Sequence, residues 1–177
     1  MIASRNGHAN VAEILLRGGA TVDQTRTYSG ATSLMIASGN GRTDVVRALL
    51  DAHANPNLSS NSGATSMFLA ATQGHTEVMD LLLSNKDLDH GESLNFLSNQ
   101  YVNPGTAAPH KVLLGRAIKQ MFYHPNFPED YVVNDGSVKV ALDDLYADVP
   151  AIAKGIEDAV GSPRGEDKIP LTLLKYL

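Results

Sequence analysis

Residues 30–50 read GATSLMIASGNGRTDVVRALL, and residues 63–83 read GATSMFLAATQGHTEVMDLLL, so most of one stretch returns 33 positions later. An upstream stretch, residues 1–23, matches residues 35–57 with a shift of 34. The extra residue falls in the loop at 24–29, where insertions are well tolerated. Self-similarity at a fixed period of this length is typical of a stack of similar structural units and not of a single enzyme core.

Each copy predicts a pair of helices. Gly30 and Gly63 follow short polar stretches, where a tight turn favours a residue without Cβ. A short apolar helix comes next, and Gly41 and Gly74 end it before a second helix starts. Apolar residues of the second helices recur at i, i+3 and i+4, which makes one apolar stripe per helix. The residues predicted to fill the seams between helix pairs are Val11, Ile14, Leu15, Val45, Leu49, Val78, Leu81 and Leu82.

This pattern resembles the ankyrin repeat from Met1 to about Asp89. The resemblance rests on the 33-residue period, the Gly-Ala-Thr openings, the Gly-His pairs at 7–8 and 74–75, and the paired leucines of the second helices. It implies an all-α, ankyrin-type helical solenoid of three repeats over residues 1–90. Met1 aligns with Met35 inside a first helix. The first repeat is therefore expected to be truncated, either in a fragment or with a partner covering that end.

The chain departs from the family pattern at two kinds of position. The family's Thr-Pro-Leu-His opening appears as Thr-Ser-Leu-Met at 32–35 and as Thr-Ser-Met-Phe at 65–68. Apolar contacts of the Met and the Phe are expected to replace the hydrogen bonds that the family histidine makes between repeats. The glycine expected after the second helix is His53 in one repeat and Lys86 in the next. A left-handed backbone at either residue would cost about 1 kcal/mol relative to glycine.

Composition and motifs exclude several classes of function. A formal net charge of -5 argues against binding to nucleic acid or to an anionic membrane, and the absence of cysteine excludes disulfides, thiolate catalysis and cysteine zinc sites. The apolar runs are too short to span a membrane and the N-terminus does not read as a signal peptide, so a cytoplasmic chain is expected. No helical His-His-Glu zinc pattern, nucleophile elbow or phosphate loop occurs, so no metal, cofactor or catalytic residue is predicted.

Residues 91–177 carry only faint echoes of the repeat. They are expected to form a mostly helical C-terminal region, made of degenerate repeats or acting as a cap on the last repeat. Helices are predicted at 110–122 and 150–160 from the apolar spacing. Two alternatives stand at 131–142. Asp135-Gly136 between valine-rich runs favours a short β-hairpin, whereas Ser137 could equally begin a helix.

The resemblance implies a protein–protein interaction module, because ankyrin stacks bind other proteins through a concave face built from turn tips and first helices. The chain is expected to be a monomer or weak oligomer whose partner is another protein. The residues expected at the partner-binding surface are Arg5, Arg26, Tyr28, Ser29, Gly39, Asn40, Asn61, Ser62, Thr72 and Gln73.

The alternative is a fragment of a larger enzyme or effector. In that case the repeats recruit a target and residues 91–177 form a catalytic or regulatory domain. A concave pocket with converging titratable groups in that half would favour the alternative.

Overall fold

The computed structural model describes residues 1–128 and 136–145. The helices in these ranges are α1 (Ile2–Asn6), α2 (Ala9–Arg17), α3 (Ser33–Gly39), α4 (Thr43–Asp51), α5 (Ser66–Gln73), α6 (Thr76–Leu83), α7 (His90–Val102), α8 (Ala108–Tyr123) and α9 (Gly136–Leu145). No β-strand occurs in the described residues, where one isolated antiparallel bridge joins Ser59 to Thr65. The chain forms two compact units, one from Met1 to Asp89 and one that begins at His90.

The first unit is a stack of three helix pairs, α1/α2, α3/α4 and α5/α6. The first helices of the pairs pack on one another in the order α1, α3, α5, and the second helices pack in the order α2, α4, α6. Gly7, Gly41 and Gly74 lie in the turns between the two helices of each pair, with φ of 81°, 63° and 73°. The all-helical, paired architecture predicted from the sequence period is confirmed.

Threonine caps start the first helices at the predicted openings. The Thr32 Oγ1 accepts a hydrogen bond from the Met35 backbone N–H at 3.2 Å, and the Thr65 Oγ1 accepts one from the Phe68 N–H, also at 3.2 Å. Such caps satisfy backbone donors that have no partner within the helix. In the second repeat the Met35 Sδ also accepts from the Thr32 N–H at 3.5 Å, which completes a capping box.

The predicted seams are correct for the second and third repeats. The buried seam residues are Val45, Leu49, Val78 and Leu82, with Leu81 half-buried. The prediction is wrong for the first repeat, where Val11 is 47% exposed, Ile14 68% and Leu15 51%. These residues stay exposed because, within the first unit, no further helix pair packs on the side of α1/α2 that faces away from α3/α4, and because α1 has five residues where α3 has seven.

One residue at a helix end adopts an unusual backbone conformation. His53, which follows α4, has φ 61°, and it is the one non-glycine residue with positive φ among those described. His53 therefore adopts the left-handed backbone conformation, at a cost of about 1 kcal/mol relative to glycine. Lys86 does not adopt it. There α6 ends at Leu83, and Ser84 stays in the right-handed region with φ -76°.

The second unit is helical throughout its described part. Both α8 and α9 pack on α7. The helix predicted at 110–122 is present as α8. The buried apolar residues of this unit are Leu94, Leu97, Leu114, Ala117, Ile118, Met121, Phe122, Phe127, Val138, Ala141 and Leu142.

The hairpin alternative at 131–142 is wrong for its second strand, because residues from Gly136 onward form α9. Val138, Ala141 and Leu142 are buried and spaced as one face of a helix, and this face decides the conformation. Ser137 also donates a hydrogen bond from its Oγ to the Asn99 Oδ1 of α7 at 2.7 Å. Residues 129–135, and the helix predicted at 150–160, lie outside the described residues.

Candidate protein-binding face

Two short loop tips precede the first helices of the second and third repeats. Tip 1 (residues 26–31) is closed by hydrogen bonds from the Arg26 N–H to the Ala31 carbonyl at 2.9 Å and from the Gly30 N–H to the Arg26 carbonyl at 2.8 Å. Tip 2 (residues 60–64) is closed by the corresponding hydrogen bonds, from the Ser60 N–H to the Ala64 carbonyl at 3.0 Å and from the Gly63 N–H to the Ser60 carbonyl at 2.9 Å. Backbone bonds thus hold the tips, and the Tyr28 side chain on tip 1 is 98% exposed.

Asn61 ties the two tips together. Its backbone N–H donates to the Ser29 carbonyl at 2.9 Å, and its side-chain Nδ2 donates to the Tyr28 carbonyl at 3.2 Å. Gly30, with φ 65°, lies against the Asn61 side chain, and a Cβ on Gly30 would overlap that side chain. The Asn61 amide therefore fixes the spacing of the tips. Nothing local in the sequence indicates this role, since the bonded residues are more than thirty positions apart.

The remaining predicted residues lie near the ends of the first helices. Arg5, Gly39 and Thr72 occupy the same position in consecutive repeats, and Asn40 and Gln73 occupy the next. Thr72 donates its hydroxyl to a carbonyl of its own helix at 3.1 Å, and Asn40 donates its amide in the same way at 2.7 Å. Arg5 and Gln73 are exposed.

The hydroxyls of the tips are engaged locally. The Ser29 Oγ accepts from the Ala31 N–H at 3.3 Å, and the Ser62 Oγ lies 3.0 Å from the Ser60 Oγ. The predicted residues therefore divide into those that hold the tips and helix ends in place and those that project from them. Arg5, Arg26, Tyr28 and Gln73 belong to the second group. Tips 1 and 2 together with α1, α3 and α5 make up the surface that we call the recognition face.

Neighbouring repeats are also joined through the turns between their helices. Arg42 lies against Gly7 and donates from its Nε to the Arg5 carbonyl at 3.1 Å. His75 lies at the same position one repeat later, and its ring would be 2.7 Å from a Cβ placed on Gly41. A turn glycine in one repeat thus makes room for a long side chain of the next.

The second helices form another surface, with a cavity of about 760 Å³. The Thr43 hydroxyl donates to the Glu77 carboxylate across it at 3.3 Å. Its lining residues are Asn6, Gly7, Gly41, Arg42, Thr43, Asp44, Val45, Arg47, Glu77, Asp80, Leu81 and Ser84. Positively and negatively charged side chains both line this cavity. The repeat pattern of the sequence does not predict that a cavity forms on this surface.

A cavity of about 300 Å³ in the second unit bears on the enzyme alternative. It is lined by Tyr101, Lys111, Val112, Gly115, Arg116, Lys119 and Leu145. The Tyr101 hydroxyl donates to the Asp144 carboxylate at 2.5 Å. Burial, and then the hydrogen bond and negative charge of Asp144, raise the pKa of Tyr101 to about 12. The phenol therefore stays protonated at neutral pH, and the Asp144 carboxylate is the hydrogen-bond acceptor that holds its proton.

Neither a candidate metal cluster nor a candidate membrane-spanning helix is found among the described residues. No group of three or more His, Asp or Glu side chains that could hold a metal ion is found in residues 1–128 and 136–145. No helix in the same part of the chain is long and apolar enough to cross a membrane.

Comparison with known sequences identifies the family. The sequence model described as Ankyrin repeats (3 copies) matches residues 1–92, which is more than half of the 177 residues. The search of curated proteins finds no match. The matched range covers all three helix pairs, their turn glycines and both tips. The chain therefore belongs to the ankyrin-repeat family.

Proposed function

We propose that this chain is a protein-interaction module that binds another protein through its recognition face. Ankyrin repeats are in general protein-interaction modules, and the matched model spans the whole recognition face. The observation that carries the proposal is Tyr28, a large aromatic side chain that is 98% exposed on a tip held by backbone hydrogen bonds.

Tyrosine and arginine are among the residue types most enriched where interfaces gain their energy. Tip 1 presents one of each, Arg26 and Tyr28, two positions apart. Because the tip backbone is closed by its own bonds and tied to tip 2 by Asn61, less conformational entropy is lost when a partner binds. Most folded proteins bury such a tyrosine at least in part, and here no described residue covers it.

The double variant Arg26→Ala with Tyr28→Ala is expected to weaken binding to the partner by at least about 30-fold, because one interface hot spot contributes about 2 kcal/mol or more. The partner is first isolated by affinity capture on the full chain and identified by mass spectrometry, and affinity is then measured with purified proteins. Thermal unfolding of the variant should match that of the native chain, since neither side chain is buried.

The matched control is Arg47→Ala with Asp51→Ala, which removes two exposed side chains from the second-helix surface of α4. This control should leave the affinity within about twofold. Equal affinity of the native chain and the Arg26/Tyr28 variant would place recognition elsewhere and would refute the proposal. A loss confined to the control would assign binding to the second helices.

A further inference from the structure

Acidic residues are distributed unevenly over the repeats. They lie on the second helices or in the loops that leave them, at Glu13, Asp23, Asp44, Asp51, Glu77, Asp80, Asp87 and Asp89. No aspartate or glutamate lies on α1, α3 or α5, or in tips 1 and 2. The recognition face carries two exposed arginines, Arg5 and Arg26. A chain of net charge -5 therefore turns a positively charged surface toward whatever the recognition face binds.

Arg5, Gly39 and Thr72 form a row across the recognition face, which runs from the first repeat to the third. The three residues occupy one position in consecutive repeats, and their helices pack directly on one another. At Gly39 the row has no side chain. A Cβ there would lie 3.4 Å from the Leu69 Cβ, which is an ordinary contact distance, so glycine leaves Leu69 half-covered at this point. One repeat therefore presents a cation at this position, and the next presents a glycine beside the half-buried Leu69, a place that we call the notch.

The spacing of these two features sets the spacing of a complementary chain. Packed helix axes lie about 8–10 Å apart. An extended peptide advances about 3.3 Å per residue. A segment that runs along the row thus places residues about three positions apart over Arg5 and over Gly39. A carboxylate suits Arg5, and a large apolar side chain suits the notch beside Leu69.

We propose that the recognition face binds an extended acidic segment of its partner, in which an aspartate or glutamate lies about three positions from a large apolar residue. The inference rests on the proposed function and specifies its ligand. The carboxylate meets Arg5, and the apolar side chain enters the notch at Gly39. A basic segment is disfavoured because it would bring like charge to Arg5 and Arg26.

The test is selection from a phage-displayed library of random dodecapeptides on the immobilised full chain. Selected peptides should be enriched about twofold or more in Asp and Glu over the input library, with a large apolar residue about three positions from the acid. Synthetic peptides of the consensus should lose affinity about tenfold on Arg5→Glu and on Gly39→Leu. The control Arg47→Glu makes the same charge change on α4 and should leave affinity within about twofold.

Folding of the variants is checked by thermal unfolding, and Gly39→Ala serves as a milder variant because its methyl group meets Leu69 at ordinary contact distance. Affinity should fall on Gly39→Ala while stability does not. Peptides that lose binding on Arg26→Ala with Tyr28→Ala but show no acidic enrichment would refute the acidic ligand and leave the proposed function standing. Binding that is unchanged by every recognition-face variant would refute both.

Discussion

Replacing Leu49 by alanine is expected to lower the free energy of unfolding by about 2–5 kcal/mol. Leu49 is 3% exposed on α4, the central second helix, which packs against α2, α3 and α6. Truncation would leave a cavity that is shared between repeats and that the neighbouring helices can fill only in part. Urea unfolding monitored by circular dichroism gives the loss directly.

Leu15 supplies the matched control, because it occupies the position of Leu49 in the first repeat but is 51% exposed. Leu15→Ala should cost less than about 1 kcal/mol, since little apolar contact is lost. Equal losses for the two variants would contradict the burial difference between the first and second repeats. An unchanged unfolding curve for Leu49→Ala would show that α4 does not pack as described.

The second large effect is expected at Gly41, where alanine should destabilise the fold for two separate reasons. Its φ of 63° lies in the left-handed region, which costs a residue with Cβ about 1–2 kcal/mol. The new Cβ would also lie 2.7 Å from the His75 ring, so that the ring must move and the contact between repeats is lost. The total loss in free energy of unfolding for Gly41→Ala should therefore exceed the conformational cost alone. Urea unfolding measures this loss.

A variant at Gly19 separates the conformational cost from the cost of the lost His75 contact. Its φ is 87°, and a Cβ there would meet nothing within 4 Å. Gly19→Ala should therefore cost only the conformational part, and Gly41→Ala should cost more. Adding His75→Ala to Gly41→Ala should recover part of the excess, as a double-mutant cycle would show. Identical losses at Gly19 and Gly41 would mean that His75 does not rest on the turn glycine.

Much of the first unit is predictable because its signals are local and repeated. The helix openings at Thr32 and Thr65 and the breaks at Gly41 and Gly74 follow from the residues of a single repeat. Burial is not local, since Leu15 and Leu49 sit in the same apolar stripe and differ in what packs beside them. A sequence pattern predicts which face of a helix is apolar. It does not say whether another helix covers that face.

Other features depend on residues far apart in the chain. The choice between hairpin and helix at Ser137 is decided by packing on α7, which begins more than forty residues earlier. The bond between Tyr101 and Asp144 spans 43 positions and follows no motif. In the candidate site, the exposure of Tyr28 follows from its place on a turn, whereas the anchoring role of Asn61 needs both tips in contact.

Site-specific photocrosslinking tests the central claim, that tip 1 meets the partner, most directly. p-Benzoylphenylalanine is introduced in place of Tyr28 in one version of the full chain and in place of Arg47, on the second-helix surface, in another. Both positions are exposed, so both probes can react with a bound protein. We expect irradiation in cells to give a discrete covalent adduct from position 28 and none from position 47. The same adduct from position 47, with none from position 28, would contradict the account.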